Sequence, residues 1–401
     1  MKAIKTERFL IKSWCPVPED GAIQQAINLA DLPFLFKHVA LMPDCHQGYG
    51  MPIGGVIATK GVVIPNAVGV DIGCGMSAVR TSVRVEDFDE NTLKKIMGEI
   101  RKEIPVGFNH RKENCDEGEL PNLLDIAERI PMVDPEDLFI QNEIDSARKQ
   151  LGTLGGGNHF IEIQKGSDGH IWIMIHSGSR NIGKKVADYY NKKAVELNEL
   201  WHTSIPKEWE LAFLPADSEL AVAYLNEMQF CVEFALANRK LMMEIVIRIL
   251  EQMNLIPAQE AQSYANNMIN IAHNYAQLEN HMGKNVYVHR KGATRARIGE
   301  VGIIPGSMGT SSYIVEGLGN VQSFMSCSHG AGRRMGRKEA IRTLNLAEEQ
   351  AKMKGIIGAP RTQDELEEAP GAYKNIEDVM EQQKDLVKIN VSLSPLAVIK
   401  G

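Results

Sequence analysis

The chain has 401 residues, 44% apolar and 24% charged, the balance of an ordinary soluble globular protein. A formal net charge of −7 argues against a protein that coats nucleic acid indiscriminately, although positive charge is bunched in "HRKGATRAR" (289–297) and "GRRMGRKEAIR" (332–342). The opening "MKAIKTERFLIKSW" lacks the apolar run of a signal peptide, and no stretch holds the ~18 to 20 uninterrupted apolar residues of a membrane helix, so a cytoplasmic protein is expected.

From Val39 to Arg80 the chain reads as short strands broken by glycine turns, ending in "AVGVDIGCGMSAVRT". Residues 91–104 have helical spacing, 108–121 read as a polar loop, and a helix near 141–151 gives way to "LGTLGGGNHF". Two strand-like runs follow, "HFIEIQ" and "HIWIMI", and then "HSGSRNIGKK". Residues 183–280 change to long helical patterns, among them "SELAVAYLNEMQFCVEFALANRKLMMEIVIRILEQM", whose methionines read as core packing. "NINIAHNYAQ", which holds His273, is read as part of that helical region. Strands return as "NVYVHR", "GEVGIIP" and "SSYIVEGL", and the tail combines a helix near 374–388 with a last strand ending "PLAVIKG". A chain of this length prompts a search for two or three domains. No Pro/Gly/Ser-rich linker marks a boundary, so the expectation is one α+β unit, 1–401, with mixed sheets as its core and a helical insertion at 183–280.

The six cysteines, at 15, 45, 74, 115, 231 and 327, include no C-x-x-C pair, and most are expected reduced and buried. Cys74 and Cys327 stand out because each sits in a glycine-rich loop beside possible ligands. Asp71 and Cys74 share the loop "GVDIGCGM", His159 follows three glycines and His176 follows "HIWIMI". Together with His273 they offer a carboxylate, a thiolate and three imidazoles, a plausible set for a first-row divalent metal. A thiolate can bridge two ions, so a binuclear centre is within its chemistry. No spacing forces these residues together, and each one alone reads more readily as a packed side chain.

No G-x-x-x-x-G-K-[ST] loop and no convincing G-x-G-x-x-G is present. The chain offers instead "GGGN", "HSGSRNIG", "PGSMGTSS" and "SHGAGR", glycine-serine loops whose free N–H groups can cradle an anion. A nucleoside triphosphate or a nucleic-acid phosphate is the ligand class these loops suggest.

"VGVDIGCGM", "LGTLGGGNHFIEI", "HSGSRNIG", "PGSMGTSSYIV", "SHGAGRRMGR", "APGAYKNI" and the terminal "VIKG" resemble, in order and wording, the RtcB-type RNA-splicing ligases, from about Lys37 to Gly401. The resemblance implies joining of an RNA 3′-phosphate or 2′,3′-cyclic phosphate to a 5′-hydroxyl, with GTP and two Mn²⁺ ions. It implies Asp71, Cys74, His159, His176 and His273 as metal ligands, Cys74 being shared, and His329 as the nucleophile that takes up GMP. Asn158, Glu162, Asn274, Ser307, Ser312, Tyr373 and Lys400 match positions around the guanylate. Gly330, Ala331 and Gly332 flank the nucleophile and let the backbone approach a phosphate. Arg180, Arg333 and Arg337 become candidates for RNA or triphosphate phosphates, and Asp44 and His46 fall in a further motif placed near the RNA terminus. RNA repair or tRNA splicing is the implied role, with archease as an activating partner. Two competing readings are a metal-dependent phosphoesterase acting on nucleotides or RNA ends, and a non-catalytic RNA-binding protein that the net charge disfavours.

Overall fold

The apolar runs at 53–59 and 160–177 are rich in β-branched residues, which pack well on a pleated surface, and strands of this kind carry the architecture. The structure is a computed structural model and describes residues 1–114, 120–121, 139–258, 263–264 and 267–401. Cys115 and part of the 108–121 stretch lie outside the described residues.

In chain order the strands are β1 (Lys2–Lys5), β2 (Leu10–Ser13), β3 (Leu35–His46), β4 (Ile53–Thr59), β5 (Val62–Val63), β6 (Gly75–Arg84), β7 (Phe160–Gly166), β8 (His170–Ser177) and β9 (Leu214–Pro215). They continue with β10 (Ile269–Ala272), β11 (Asn274–His281), β12 (Lys284–Lys291), β13 (Ala293–Arg295), β14 (Val301–Ile304), β15 (Ser312–Gly317), β16 (Ser326–Ser328) and β17 (Val387–Lys400). One six-stranded sheet runs β1-β2-β3-β4-β12-β11, and a seven-stranded sheet runs β10-β6-β8-β7-β17-β15-β14. The first is mixed, since β2 and β3 are parallel. The fold is therefore α+β with mixed sheets, as expected.

All pairs of the seven-stranded sheet are antiparallel. Antiparallel order brings the start of β6, the end of β8, the start of β7, the end of β10 and the end of β17 to one rim. The registers state it directly: Gly75 opposes both Ser177 and Ala272, and Phe160 opposes both His176 and Lys400. Side chains alternate across this sheet. Ile161, Ile163, Ile173 and Ile175 face a core shared with the helices Glu90–Glu103 and Glu219–Gln252, while Phe160, Trp172 and Met174 join a second cluster on the other face.

The helix Glu219–Gln252 starts at a Ser218 side chain that accepts from the Ala221 N–H, and the chain turns away through Asn254 at φ 57°. By length and composition alone it could cross a bilayer. Its apolar residues are instead divided between two cores, with Phe230 and Phe234 in one and Met242, Val246 and Ile249 in the other.

Two readings need correction. "NINIAHNYAQ" is strand: β10 pairs with β6 and β11 with β12, so His273 stands where the chain passes from one sheet to the other. The two isoleucines of "INIA" stand two residues apart, a strand period that the helical stretch before it masks. The tail helix is only Ile376–Glu381, capped by Asn375, and β17 begins at Val387. Within 183–280, helix fills Arg180–Leu200 and Glu219–Gln252, and strand begins at Ile269.

Candidate active site and metal centre

The rim of the seven-stranded sheet faces a cavity of about 950 Å³. Asp71 and Cys74 enter it from the loop before β6, where Gly69 and Gly73 take positive φ and the Cys74 N–H bonds the Asp71 carbonyl at 3.1 Å. Cys74 Sγ lies 3.5 Å from His159 Nε2 and 3.3 Å from His176 Nε2, and His159 Nε2 lies 3.3 Å from Asp71 Oδ2. His273 completes a second group with Cys74 and His176, its ring 5.4 Å from that of His176. Two triads that could each hold a metal ion thus share one thiol: Asp71, Cys74 and His159, and Cys74, His176 and His273.

The donor chemistry fits a divalent metal. Burial holds the His176 and His273 imidazoles well below their ordinary range, which is the neutral form a metal needs. His176 Nδ1 donates to the Asn158 carbonyl at 3.1 Å, leaving Nε2 to face Cys74. His159 Nδ1 and His273 Nδ1 are buried with no hydrogen-bond partner among the described residues. Burial and the Asp71 carboxylate push the Cys74 thiol well up, against the pull of Arg239. A bound dication would reverse that balance and favour the thiolate. Burial also raises Asp71, but its hydrogen bond and charge interaction with His159 outweigh this and keep it ionised.

A buried pair on the long helix holds these loops. Arg239, fully buried, donates to the carbonyls of Gly73 at 3.0 Å, Ser177 at 2.8 Å and Ile271 at 3.2 Å, and to Asn270 Oδ1 at 2.8 Å. Each of those carbonyls lies one or two residues from Cys74, His176 or His273. Asn238 accepts from the Gly152 and Thr153 N–H groups and donates to the Gly178 carbonyl. Neither residue was singled out in the sequence, because inside an apolar helix they resemble ordinary solvent-facing positions.

His329 follows β16, which pairs with β13. Its ring lies edge-on to His273 at 4.8 Å, so it borders the ligand set. Asp44 is fully buried, and its Oδ2 accepts from His329 Nδ1 at 2.7 Å and from the His329 and Gly330 N–H groups at 3.2 and 3.3 Å. The β3–β4 ladder is irregular between Leu41 and His46, which frees Asp44 to turn toward β16. Burial works to raise the Asp44 carboxyl, but the charge and hydrogen bond of His329 prevail and hold it below the usual range. When the imidazole is neutral, the carboxylate fixes its one N–H proton on Nδ1, so the lone pair is on Nε2. The motif that carries Asp44 thus meets the His329 loop directly. Gly332, at φ 74°, packs so closely that a Cβ would come 2.1 Å from the Asp44 carbonyl, so this glycine serves the Asp44–His329 contact. His46 lines the cavity, its ring driven down to about 4 by burial.

Asn158, Glu162, Asn274, Ser307, Gly330, Ala331, Gly332, Tyr373 and Lys400 all border the cavity. Asn274 spends its amide on the scaffold, donating to the Asp71 carbonyl at 3.0 Å and accepting from the Gly292 N–H at 2.7 Å. Ser312 sits one layer back, its hydroxyl engaged by the Gly306 N–H at 3.1 Å and by Gln164. Burial lifts Glu162 to about 7, partly offset by the Lys400 charge and a hydrogen bond from Gln164. Lys400 stands on β17 with its ammonium 4.0 Å from Glu368.

Glu368 was not anticipated. Buried, it gathers Arg333 and Arg337, each at 3.0 Å, and accepts from the Tyr373 hydroxyl. Arg180 (φ 60°) donates to Thr153 Oγ1 and the Gly107 carbonyl, and it packs against Gly155 beside His159. The other basic run is not a solvated face: Arg290 is buried and paired with Glu279, while Lys291 borders the cavity and donates to the Tyr49 and Asn66 carbonyls. Cys327 belongs to the core, and burial raises its thiol. The five described cysteines are all free and buried.

Cys74→Ala removes the only donor common to both triads. Metal analysis after dialysis against a divalent ion should show the occupancy of both positions falling together; full retention would contradict a shared thiolate.

The model of the family described as tRNA-splicing ligase RtcB matches residues 25–401. The RNA-splicing ligase RtcB of Escherichia coli K12 is 41% identical over 416 residues, covering 99% of both chains. The tRNA-splicing ligases RtcB of Thermococcus kodakarensis and Nanoarchaeum equitans are 32% and 34% identical, each across 96% of this chain and 92% of their own. With the motif order, the paired triads and this full-length similarity in agreement, the chain belongs to the RtcB family.

Proposed function

We propose that this protein is an RNA ligase that joins a 3′-phosphate or 2′,3′-cyclic phosphate end to a 5′-hydroxyl end through a histidine–GMP intermediate, using GTP and manganese, in RNA repair or tRNA splicing. The observation that carries the reading is the Asp44–His329 pair at 2.7 Å beside the thiol-linked triads. The names of the relatives support the RNA-ligase activity and tRNA splicing. In this reading the chain acts as one unit in the cytoplasm, with the helices Arg180–Leu200 and Glu219–Gln252 as the inserted part that delivers Arg239.

His329 Nε2 attacks the α-phosphorus of GTP; an N–P bond forms, the P–O bond to pyrophosphate breaks, and the imidazole gains positive charge that Asp44 balances. An oxygen of the RNA 3′-phosphate then attacks the same phosphorus, the N–P bond breaks, and the imidazole leaves neutral. The 5′-hydroxyl finally attacks the activated 3′-phosphate and GMP departs. A cyclic phosphate is first opened by water. Two ions held by Asp71, Cys74, His159, His176 and His273 would neutralise triphosphate charge and polarise water. Glu162 is suited to guanine, whose adjacent N1–H and N2–H donors match the two oxygens of a carboxylate. Lys400, Tyr373 and the Arg333–Glu368 group close that side of the cavity.

The deciding assay supplies 3′-phosphate and 5′-hydroxyl RNAs with GTP and manganese. Wild type should give joined product, His329→Ala none, and Asp44→Ala a rate lower by on the order of 10²–10⁴. Release of inorganic phosphate without joining would mark a phosphoesterase and end the ligase reading.

Glu162 adds a pH test. The free carboxyl is neutral below about 7, and guanine needs it ionised, so binding must expel a proton there. Affinity for guanosine, which has no phosphate to titrate, should fall toward tenfold per unit as pH drops below 7 and level off above it. Glu162→Gln should bind weakly with a flat profile; an unchanged profile in that variant, read by calorimetry, would remove Glu162 from the base site.

A further inference from the structure

A cavity of about 950 Å³ is near the upper limit for a single small-molecule ligand. Two of the residues proposed for guanylate, Tyr373 and Lys400, meet at Glu368. The cavity extends to residues that the proposed guanylate binding does not use. Its lining includes Gln47, Gly48, Tyr49, Asn66 and Val70.

Tyr49 is the unusual member. It borders the cavity, yet it is 70% exposed. The backbone beneath it is held firmly. The buried ammonium of Lys291 donates to the Tyr49 and Asn66 carbonyls, and the Met51 N–H bonds the Tyr49 carbonyl at 2.7 Å. The Gly50 N–H bonds Glu210 Oε2 at 3.0 Å. Glycines on both sides are required: a Cβ on Gly48 would stand 2.5 Å from the Met51 carbonyl, and Gly50, at φ 65°, would meet the Glu210 carbonyl at 2.6 Å. A buried cation, a carboxylate and two constrained glycines fix a loop whose tip is an uncovered aromatic ring. With the backbone anchored, only the side-chain torsions remain to be ordered on binding, and every base presents a π-face to the ring.

We infer that Tyr49 is a stacking platform for the base of the terminal nucleotide of an RNA strand whose end enters the cavity. The inference rests on the ligase reading and adds a residue that positions the RNA end by its base. Stacking is tolerant of base identity, so the platform would serve ends of varied sequence while requiring that a base be present.

The test is a coupling experiment on joining by the full chain with GTP and manganese. The terminal nucleotide carries its base or is abasic, varied first at the 3′-phosphate end and then at the 5′-hydroxyl end, with wild type, Tyr49→Ala and Tyr49→Trp. At one of the two ends, loss of the base should raise the wild-type KM by on the order of ten- to a hundredfold. Tyr49→Ala should show a similar rise with the intact end and no further rise with the abasic one, whereas Tyr49→Trp should keep the discrimination. A merely structural role would leave base and abasic ends as different in Tyr49→Ala as in wild type. That result at both ends, or a wild type indifferent to the base at both, overturns the inference. Wild type that joins no RNA under these conditions is a separate failure, of the ligase reading itself.

Discussion

The site depends on a buried cation that meets backbone oxygen. Arg239 reaches from the middle of an apolar helix and hydrogen-bonds the carbonyls of three chain segments, each leading to a proposed metal ligand. A guanidinium taken from water costs several kcal/mol unless its donors are met, and here the acceptors are main-chain oxygens at the ends of β6, β8 and β10. The helix cannot rest against the sheet without those segments in place, and the segments cannot drift while the helix is packed. Burial lowers the guanidinium only to about 10, so the charge is retained at neutral pH beside the Cys74 thiol. The charge that organises the scaffold also favours thiolate.

The two sheets contribute different parts. The seven-stranded sheet brings four of the five proposed ligands, together with Glu162 and Lys400, to one rim by antiparallel alternation. The six-stranded sheet supplies Asp44 from an irregular stretch of β3 and Lys291 from the end of β12. His273 lies at the crossing between them, in contact with both His176 and His329. That position couples the proposed nucleophile to the ligand set without any proximity in sequence. The Asp44–His329 bond then fixes which nitrogen carries the proton, a condition for nucleophilic attack that no metal arrangement could replace.

Much of this was legible in the residues, for identifiable reasons. Apolar runs bounded by glycine gave β7 and β8, and the three-to-four spacing gave the helix Glu219–Gln252 almost to the residue. The paired ligand loops were visible as residue types, and the resemblance supplied their grouping. What escaped depends on long-range pairing. "MPDCHQGYG" does not reveal that Asp44 turns toward a loop 285 residues away. "DELEEAP" reads as solvated acid, although Glu368 is the buried partner of two arginines. Lys400 reads as a frayed end, whereas pairing of β17 with β7 carries it to the rim. Arg290 reads as part of a basic surface and is an internal ion pair with Glu279. In each case a charge takes its meaning from a partner that only the folded chain supplies.

The central claim is that an imidazole, and not one of the lysines bordering the cavity, accepts the nucleotide. Mass analysis of peptides from an alkaline digest, after the protein has reacted with GTP and manganese, tests it directly. The account predicts a guanylate adduct on the peptide containing His329, lost on brief acid treatment as an N–P bond to imidazole should be. A guanylate adduct on the peptide containing Lys291 or Lys400, with His329 unmodified, would contradict it.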